Sequence, residues 1–153
     1  MSGKYFEEFQ VGQRFAHAKQ HTISEEENLA FCAMTENTQP LHVDPEFGKQ
    51  SPFGRRIVNG ILTFGVVVGL SVEELTEGTI IANLGYEEVR HPAPVFHGDT
   101  ISAEAEVLEV RESRSKPDRG IVRLRQIGRN QDGEVVVELE RSVLVRKRPG
   151  DED

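Results

Sequence analysis

The sequence predicts an α+β domain in which an antiparallel sheet wraps around one long central helix. Three observations lead to this fold class. The 153 residues suit one domain with its own hydrophobic core. Residues 57–75 are apolar nearly all round and long enough for a buried helix. After Gly78 the chain alternates apolar and polar residues, which is typical of half-buried antiparallel strands.

The first helix is predicted from its N-terminal signal. Residues 24–27 read S-E-E-E, a capping box with Ser24 as N-cap and Glu27 at the third helical position. We expect this helix to end near Thr35. Cys32 lies in the apolar stretch LAFCAM, which indicates a buried small hydrophobe rather than a nucleophile.

The central helix follows a segment that reads as loop. Residues 43–56 carry the turn signals D-P and S-P-F-G and are predicted to be loop-like. The next stretch, IVNGILTFGVVVGLSVEEL, has Gly60, Gly65 and Gly69 at helical spacing, and its length favours helix over buried strand. We expect this helix to run from Gly60 to about Leu75 and to be covered on most sides, with Gly65 and Gly69 packed closely against the sheet.

Four segments after Gly78 read as strands, and we expect a sheet of about five. The turn Asn130–Gly133 (N-Q-D-G) marks a hairpin between the last two of them. A helix that is apolar all round is most simply buried by wrapping this sheet around it, which is the hot-dog architecture. The segments are TIIANLGYEEV, TISAEAEVLEVRES, GIVRLRQIGRN and EVVVELERSVLVRKR.

Composition excludes several classes of protein. The formal charge of −8 argues against a general binder of nucleic acid or of membrane surfaces. No apolar run approaches the roughly 20 residues of a membrane span, and the first residues show no signal peptide. The single cysteine favours the reducing cytoplasm. The five histidines show no metal-ligand spacing, so no metal is expected.

Three stretches together resemble the MaoC-like dehydratases, the hot-dog group that includes the (R)-specific enoyl-CoA hydratases. They are FEEFQVGQRF, TENTQPLHVDPEFGKQSPFGRRIVNGILTFG and HPAPVFHGDTISAEAEVLEV. The combination is specific, whereas none of the three would suffice alone. The resemblance implies one hot-dog domain over residues 1–148, followed by a frayed tail at 149–153.

The resemblance carries over to the site residue by residue. The family's catalytic stretch reads Gly-Asp-x-Asn-Pro-Leu-His, which places the catalytic histidine at His42. Asn37 stands where the catalytic aspartate falls, and Gln39 replaces the family's asparagine. The central helix begins with Asn59-Gly60 where the family usually has His-Gly. This variant pattern is similar to a subgroup that handles branched dicarboxylic acyl-CoAs such as mesaconyl-CoA and itaconyl-CoA.

The resemblance implies a hydro-lyase that adds water to, or removes it from, an enoyl-CoA. Imidazole titrates near operating pH, which suits His42 to general acid–base work. The N-terminus of the central helix, at Asn59 and Gly60, suits the enolate oxygen that forms on the thioester. No cofactor is expected, because CoA is part of the substrate. Three arginines are candidates for contacts with CoA phosphates or a substrate carboxylate: Arg55, Arg56 and Arg90.

The loss of the aspartate leaves the second proton transfer open. Asn37 cannot exchange a proton and can only position water or hold His42. His42 could make both transfers through one water, a neighbouring carboxylate at Glu36 or Asp44 could substitute, or a second carboxylate of the substrate could take part. The residues do not choose between these routes.

Two other functions remain in view at this stage. The missing aspartate favours a catalytically silent module that binds thioesters or a partner subunit. A thioesterase ranks third, since the central helix has no carboxylate before Glu73. One short sheet cannot cover an all-apolar helix and also build a pantetheine tunnel. We therefore expect at least a homodimer, with the site at or near its interface.

Overall fold

The computed structural model describes residues 2–150, which form one six-stranded antiparallel sheet and four helices. The strands are β1 Arg14–Ala16, β2 His21–Thr22, β3 Ile80–Arg90, β4 Thr100–Glu112, β5 Arg119–Arg129 and β6 Val135–Arg146. The helices are α1 Glu25–Met34, α2 Pro40–Val43, α3 Pro45–Gln50 and α4 Gly60–Leu75, and a 3-10 turn covers Phe6–Glu8. The strand order is β1-β4-β5-β6-β3, with β2 paired to β4 as well.

Helix α4 is the central helix that the sequence predicts, with the predicted bounds. Its buried side includes Val67, Leu70 and Leu75, which pack against inward-facing residues of β4, β5 and β6. The sheet therefore wraps around α4, and the predicted hot-dog fold is confirmed. No helix within residues 2–150 is long and apolar enough to cross a membrane.

The four alternating segments form β3 to β6, as predicted. The last two are joined by the predicted turn, in which the Gly133 N–H donates to the carbonyl of Asn130 at 3.1 Å. Strands β1 and β2 did not stand out in the sequence, because three and two residues are too short to show a period. The domain boundary at residue 148 stays a prediction, and residues 151–153 of the expected tail lie outside the described residues.

Helix α1 begins with the predicted capping box, in which Ser24 Oγ accepts from the Glu27 N–H at 3.1 Å, and Thr35 is its C-cap. The predicted loop over residues 43–56 is wrong in its first half, where α3 lies. Asp44-Pro45 reads as a turn, but proline is also favoured in the first turn of a helix. Asp44 caps α3, since its carboxylate accepts from Glu46 N–H at 3.0 Å.

One side of α4 is left uncovered by the sheet. Ile61, Gly65, Gly69 and Val72 share one face of the helix at helical spacing. Ile61 is 64% exposed, and a Cβ added at Gly65 or Gly69 would meet nothing within 4 Å. The expectation that the two glycines pack against the sheet is therefore wrong, because they lie on the opposite side of the helix.

Gly128 on β5 lies directly against Val67 of α4. A Cβ added there would clash with Cγ2 of Val67 and lie 2.9 Å from Cγ1 of Val137. We expect Gly128→Ala to lower the free energy of unfolding by about 1–3 kcal/mol, the usual cost of overpacking a core. Chemical denaturation measures this change.

Val67→Ala provides the control, because it removes the methyl groups that the new Cβ would meet. Val67→Ala combined with Gly128→Ala should cost less than the sum of the two single substitutions. Strictly additive costs would contradict the close contact between Val67 and Gly128.

Candidate active site

A cavity of about 350 Å³ lies at the N-terminal end of α4. Its polar members include His42, Gly60, Thr63 and His91, and most of the remaining wall is apolar. The helix start, the segment after α2 and the chain between β3 and β4 meet here. The apolar lining residues are Phe53, Ile57, Val58, Pro92, Ala93, Pro94, Val95 and Val136.

His42 is held in one orientation by the backbone. Its Nδ1 lies 2.9 Å from the carbonyl oxygen of Ile57. A carbonyl only accepts, so Nδ1 carries a proton and donates it to Ile57. The other ring nitrogen, Nε2, is then the basic atom of the neutral imidazole. His42 therefore presents a fixed tautomer to the cavity, which is the arrangement that a general base needs.

The start of α4 leaves one N–H group for the cavity. The first four N–H groups of a helix have no acceptor within it. Asn59 provides acceptors for three of these N–H groups. Its side-chain Oδ1 accepts from the Ile61 N–H, and its carbonyl accepts from the Leu62 and Thr63 N–H groups. For the fourth, Gly60 N–H, residues 2–150 offer no acceptor. This donor, with the positive end of the helix dipole, faces the cavity that His42 lines.

Asn28 ties these parts together and is a residue that the sequence did not bring forward. Its side chain is fully buried, and its Nδ2 donates to the carbonyl of His42 at 3.2 Å and to Nε2 of His97 at 2.9 Å. Its Oδ1 accepts from the Asn59 N–H at 3.0 Å. One amide on α1 thus fixes α2, the start of α4 and the turn before β4. In the sequence, Asn28 could have been found as an amide four residues before the predicted buried Cys32, which places it on the same buried face of α1.

His97 takes part in this network as an acceptor. Burial lowers the pKa of His97, and the nearby Arg56 guanidinium lowers it further, against the opposing effect of Glu25. The imidazole is therefore neutral at pH 7, with Nε2 free to accept from Asn28. The pKa of His97 is lower in the folded state than in the unfolded state. The stability that the neutral imidazole contributes is therefore fully present above about pH 6.5 and is lost as the pH falls towards the folded-state pKa.

The turn that holds His97 is fixed by Asp99. The Asp99 carboxylate accepts from the Phe96 N–H at 2.9 Å and from Nε2 of Gln131 at 3.0 Å. The Asp99 N–H donates to the Phe96 carbonyl at 3.0 Å. Cys32 is buried as predicted, within 3.8 Å of Asn28 Oδ1.

His91 is a second imidazole at the cavity, which the spacing of histidines in the sequence did not indicate. Its ring lies against the α-carbon of Gly60, because a Cβ added there would be 2.9 Å from Cε1 of His91. Glycine at position 60 is what allows this approach. The cavity thus contains His42 and His91 from two separate segments of the chain.

Asn37 and Gln39 lie apart from this cavity. Oδ1 of Asn37 accepts from the Gln39 N–H at 3.1 Å, so the two residues form a local turn before α2. They border a separate shallow depression with Glu36. Asp44 caps α3. Within the described residues, the His42 cavity is lined by neither Asn37, Gln39, Glu36 nor Asp44.

The three candidate arginines have different surroundings. Arg56 pairs with Glu25 at 2.8 Å, and Arg90 pairs with Glu88 at 2.9 Å. Arg55 instead stacks on the ring of Phe96 at 3.6 Å, two residues from the cavity-lining Phe53. Within residues 2–150, Arg55 has no carboxylate partner.

The arrangement can do acid–base chemistry on a bound electrophile. It combines an oriented imidazole, an unpaired N–H at a helix N-terminus and apolar walls that strengthen polar contacts. No group of three or more His, Cys, Asp or Glu side chains within residues 2–150 is placed to hold a metal ion.

Comparison with known proteins places this geometry in a family. The pattern of the MaoC like domain matches residues 8–130. The chain is 35% identical to a mesaconyl-CoA hydratase from Cereibacter sphaeroides over 96% of its length, but spans only 42% of that protein. It is 31% identical to an (R)-specific enoyl-CoA hydratase from Rhodospirillum rubrum, covering 94% of this chain and 93% of that one.

A solved structure shows the same likeness in three dimensions. The crystal structure of the MaoC-like dehydratase from Rhodospirillum rubrum superposes with a TM-score of 0.85, at 33% identity, over 97% of this chain and all of that one. Sequence pattern and fold agree over the segments that build the cavity. The chain therefore belongs to the MaoC-like domain family.

Proposed function

We propose that this chain is a hydro-lyase that adds water across the α,β double bond of an enoyl-CoA, or removes it in reverse. The observation that supports this most is the meeting of His42 and the unpaired Gly60 N–H in one cavity. Hydration needs a base beside Cβ and a donor beside the thioester oxygen, and the two groups supply these. The relatives named as hydratases support the same reaction.

In the proposed mechanism His42 makes both proton transfers. Nε2 takes a proton from water as the water oxygen bonds to Cβ. The π electrons of the double bond move towards the thioester oxygen, and the resulting enolate is held by the Gly60 N–H. The enolate then collapses as the imidazolium returns its proton to Cα. Because neither Glu36 nor Asp44 lines the cavity, this route needs fewer rearrangements than one through a second protein carboxylate.

Asn59, Asn37 and Gln39 have supporting roles in this proposal. Asn59 takes up the other N–H groups of the first turn of α4, so that only Gly60 N–H is free for substrate. Asn37 and Gln39 shape the turn that leads into α2 and His42.

We propose a branched dicarboxylic acyl-CoA of the mesaconyl or itaconyl type as substrate. The similarity to the mesaconyl-CoA hydratase supports this class, although the chain spans less than half of that relative. Arg55 is the best placed of the three arginines for a substrate carboxylate or a CoA phosphate, because Arg56 and Arg90 already pair with Glu25 and Glu88. No cofactor enters the proposed reaction, and the single, buried cysteine supports a cytoplasmic setting.

We further propose that the chain works as a homodimer or a higher homo-oligomer. Strand β3 ends the sheet, and it exposes Leu84 (51%), Tyr86 (40%) and Val89 (43%). A second apolar surface is the uncovered face of α4, which begins at Ile61, directly after the cavity-lining Gly60. Long apolar edges are normally covered in native proteins. Pairing of two β3 edges would cover the exposed side chains of β3. It would also place each cavity near the interface, because the cavity-lining His91 directly follows β3.

A non-catalytic thioester-binding module remains the second candidate. It is favoured by one observation: within residues 2–150, no Asp or Glu side chain lines the cavity. A thioesterase would need a carboxylate of α4 near the cavity. Glu74 lies towards the other end of this helix, where it pairs with His17 at 2.7 Å.

The loss of ultraviolet absorbance of the enoyl-thioester bond separates these functions. Purified protein is offered crotonyl-CoA, mesaconyl-CoA and itaconyl-CoA in turn, and free thiol is measured in the same samples. A hydratase removes the absorbance without releasing thiol, a thioesterase releases thiol, and a binding module does neither.

We expect His42→Ala to lower kcat by about a hundredfold or more, the usual effect of losing a general acid–base group. The enoyl-CoA absorbance assay measures this, with circular dichroism to confirm folding. His21→Ala is the matched control, because His21 is a partly exposed imidazole on β2 that pairs with Glu27 and does not line the cavity. Unchanged turnover in His42→Ala would exclude the catalytic assignment.

Asn37→Asp tests the dicarboxylic substrate. The aspartate keeps the acceptor for Gln39 N–H, so the turn should persist. If position 37 faces a substrate carboxylate, the added charge should raise KM for mesaconyl-CoA while leaving crotonyl-CoA nearly unaffected. Steady-state kinetics on both substrates decide the matter, and equal effects on the two would exclude a contact between position 37 and a substrate carboxylate.

The dimer is tested by Leu84→Glu, which places a charge on the exposed edge of β3. We expect the wild-type chain to sediment as at least a dimer at micromolar concentration and this variant to shift towards monomer. Val11→Glu is the control, because Val11 is 63% exposed beside β1 at the opposite edge of the sheet. A stable wild-type monomer would contradict the proposal.

A further inference from the structure

His91 is a cavity residue that neither the fold nor the proposed mechanism uses. Its side chain is exposed and lines the cavity together with His42 and Gly60. Neither ring nitrogen of His91 has a hydrogen-bond partner within residues 2–150. The other four histidines are each held by a partner in the fold: His17 by Glu74, His21 by Glu27, His42 by Ile57 and His97 by Asn28.

The His91 ring stands beside the free N–H of Gly60. A Cβ added to Gly60 would lie 2.9 Å from Cε1 of His91 and 3.2 Å from each ring nitrogen. These near-equal distances mean that the ring turns its face to Gly60, with the end that carries both nitrogens nearest. The Cα–Cβ direction of a helical residue tilts towards the N-terminus, and the first N–H groups of the helix point the same way. Both nitrogens of His91 therefore lie on the side of α4 to which the Gly60 N–H points.

The cavity has one accessible imidazole more than the hydration of a simple enoyl-CoA requires. In the proposed mechanism, His42 makes the proton transfers and the Gly60 N–H binds the thioester oxygen. The acyl chain of crotonyl-CoA has no further polar group for His91 to contact. An unused N–H donor in a largely apolar cavity favours a substrate with a second acceptor group close to its thioester.

The charges around the cavity favour a carboxylate as this second acceptor. Within the described residues no Asp or Glu lines the cavity, so its wall does not repel an anion, and the positive end of α4 attracts one. An imidazole donates an N–H to a carboxylate whether it is neutral or charged. In a mesaconyl-type acyl group only the two alkene carbons separate the thioester from the second carboxylate. A thioester oxygen bound to Gly60 N–H therefore places this carboxylate within reach of the neighbouring His91.

We propose that His91 binds the second carboxylate of a dicarboxylic acyl-CoA and thereby selects this substrate class. This rests on the proposed hydro-lyase function and assigns substrate selection to one residue. Within residues 2–150, none of the three candidate arginines lines the cavity, which leaves Arg55 for the CoA phosphates. The carboxylate keeps its charge throughout the reaction, so the contact strengthens binding of ground state and transition state alike and is expected to change KM more than kcat.

Two substitutions and one control test the proposal. His91→Phe keeps a ring against Gly60 and removes both nitrogens, whereas His91→Ala removes the ring as well. We expect each to raise KM for mesaconyl-CoA about tenfold or more above any change in KM for crotonyl-CoA, the usual effect of losing a hydrogen bond to a charged group. His21→Phe makes the same chemical change outside the cavity and should leave both KM values at the wild-type level.

The comparison of substrates separates this contact from other roles of His91. Equal changes in KM for mesaconyl-CoA and crotonyl-CoA would mean that His91 contacts a group common to both substrates, and would overturn the proposal. A selective loss in His91→Ala but not in His91→Phe would assign the effect to packing of the ring and overturn it as well. Circular dichroism confirms the folding of each variant.

A binding measurement does not depend on turnover. Succinyl-CoA and butyryl-CoA are saturated acyl-CoAs of equal chain length that differ by a carboxylate in place of a methyl group, and isothermal titration calorimetry gives Kd for each. We expect the wild type and His21→Phe to bind succinyl-CoA about tenfold or more tightly than butyryl-CoA, and His91→Phe to lose this preference. If the wild type hydrates no enoyl-CoA, the hydro-lyase proposal fails while this ratio still tests His91. An equal ratio in wild type and His91→Phe would exclude the carboxylate contact.

Discussion

The first turn of α4 is the constraint on which the rest of the structure depends. A helix that is apolar nearly all round must be buried, yet its first four N–H groups cannot be satisfied within the helix. Asn59 accounts for three of them with its side chain and its carbonyl. The fourth, on Gly60, is left facing a cavity. Burying the helix therefore creates a donor site at its end, where the helix dipole already favours negative charge.

The surrounding parts keep that end open and correctly aligned. Asn28 connects the backbone of Asn59 with the backbone of His42 and the ring of His97. Because an amide has both donor and acceptor groups, it can join three segments that would otherwise end in unpaired polar atoms. The Ile57 carbonyl then fixes the tautomer of His42. The orientation of the candidate base thus follows from the same contacts that stabilise the fold.

The unpaired groups of the molecule fall into two kinds with different consequences. The uncovered face of α4 and the exposed Leu84, Tyr86 and Val89 on β3 are apolar, and a second copy of the chain would remove them from water. The N–H of Gly60 is polar and lies at a largely apolar cavity, where only a ligand or water can pair with it. Both kinds lower the stability of the isolated chain. The apolar surfaces correspond to the proposed contact with a second copy, and the Gly60 N–H corresponds to the proposed contact with substrate.

The sequence by itself determined the elements whose signals are local. The capping box at Ser24 and Glu27, the bounds of α4, the four long strands and the Asn130–Gly133 hairpin all follow from spacing within a few residues. Family resemblance added His42 and Gly60, which lie 18 positions apart and line one cavity.

Only the tertiary structure decided the rest, because it depends on contacts between distant residues. Asn28 and His91 carry no motif, and their importance lies in what the fold places beside them. Asn37 and Gln39 are near His42 in sequence but lie in a separate turn. The direction in which Gly65 and Gly69 point was equally undetermined, since a helix that is apolar all round does not specify which face meets the sheet.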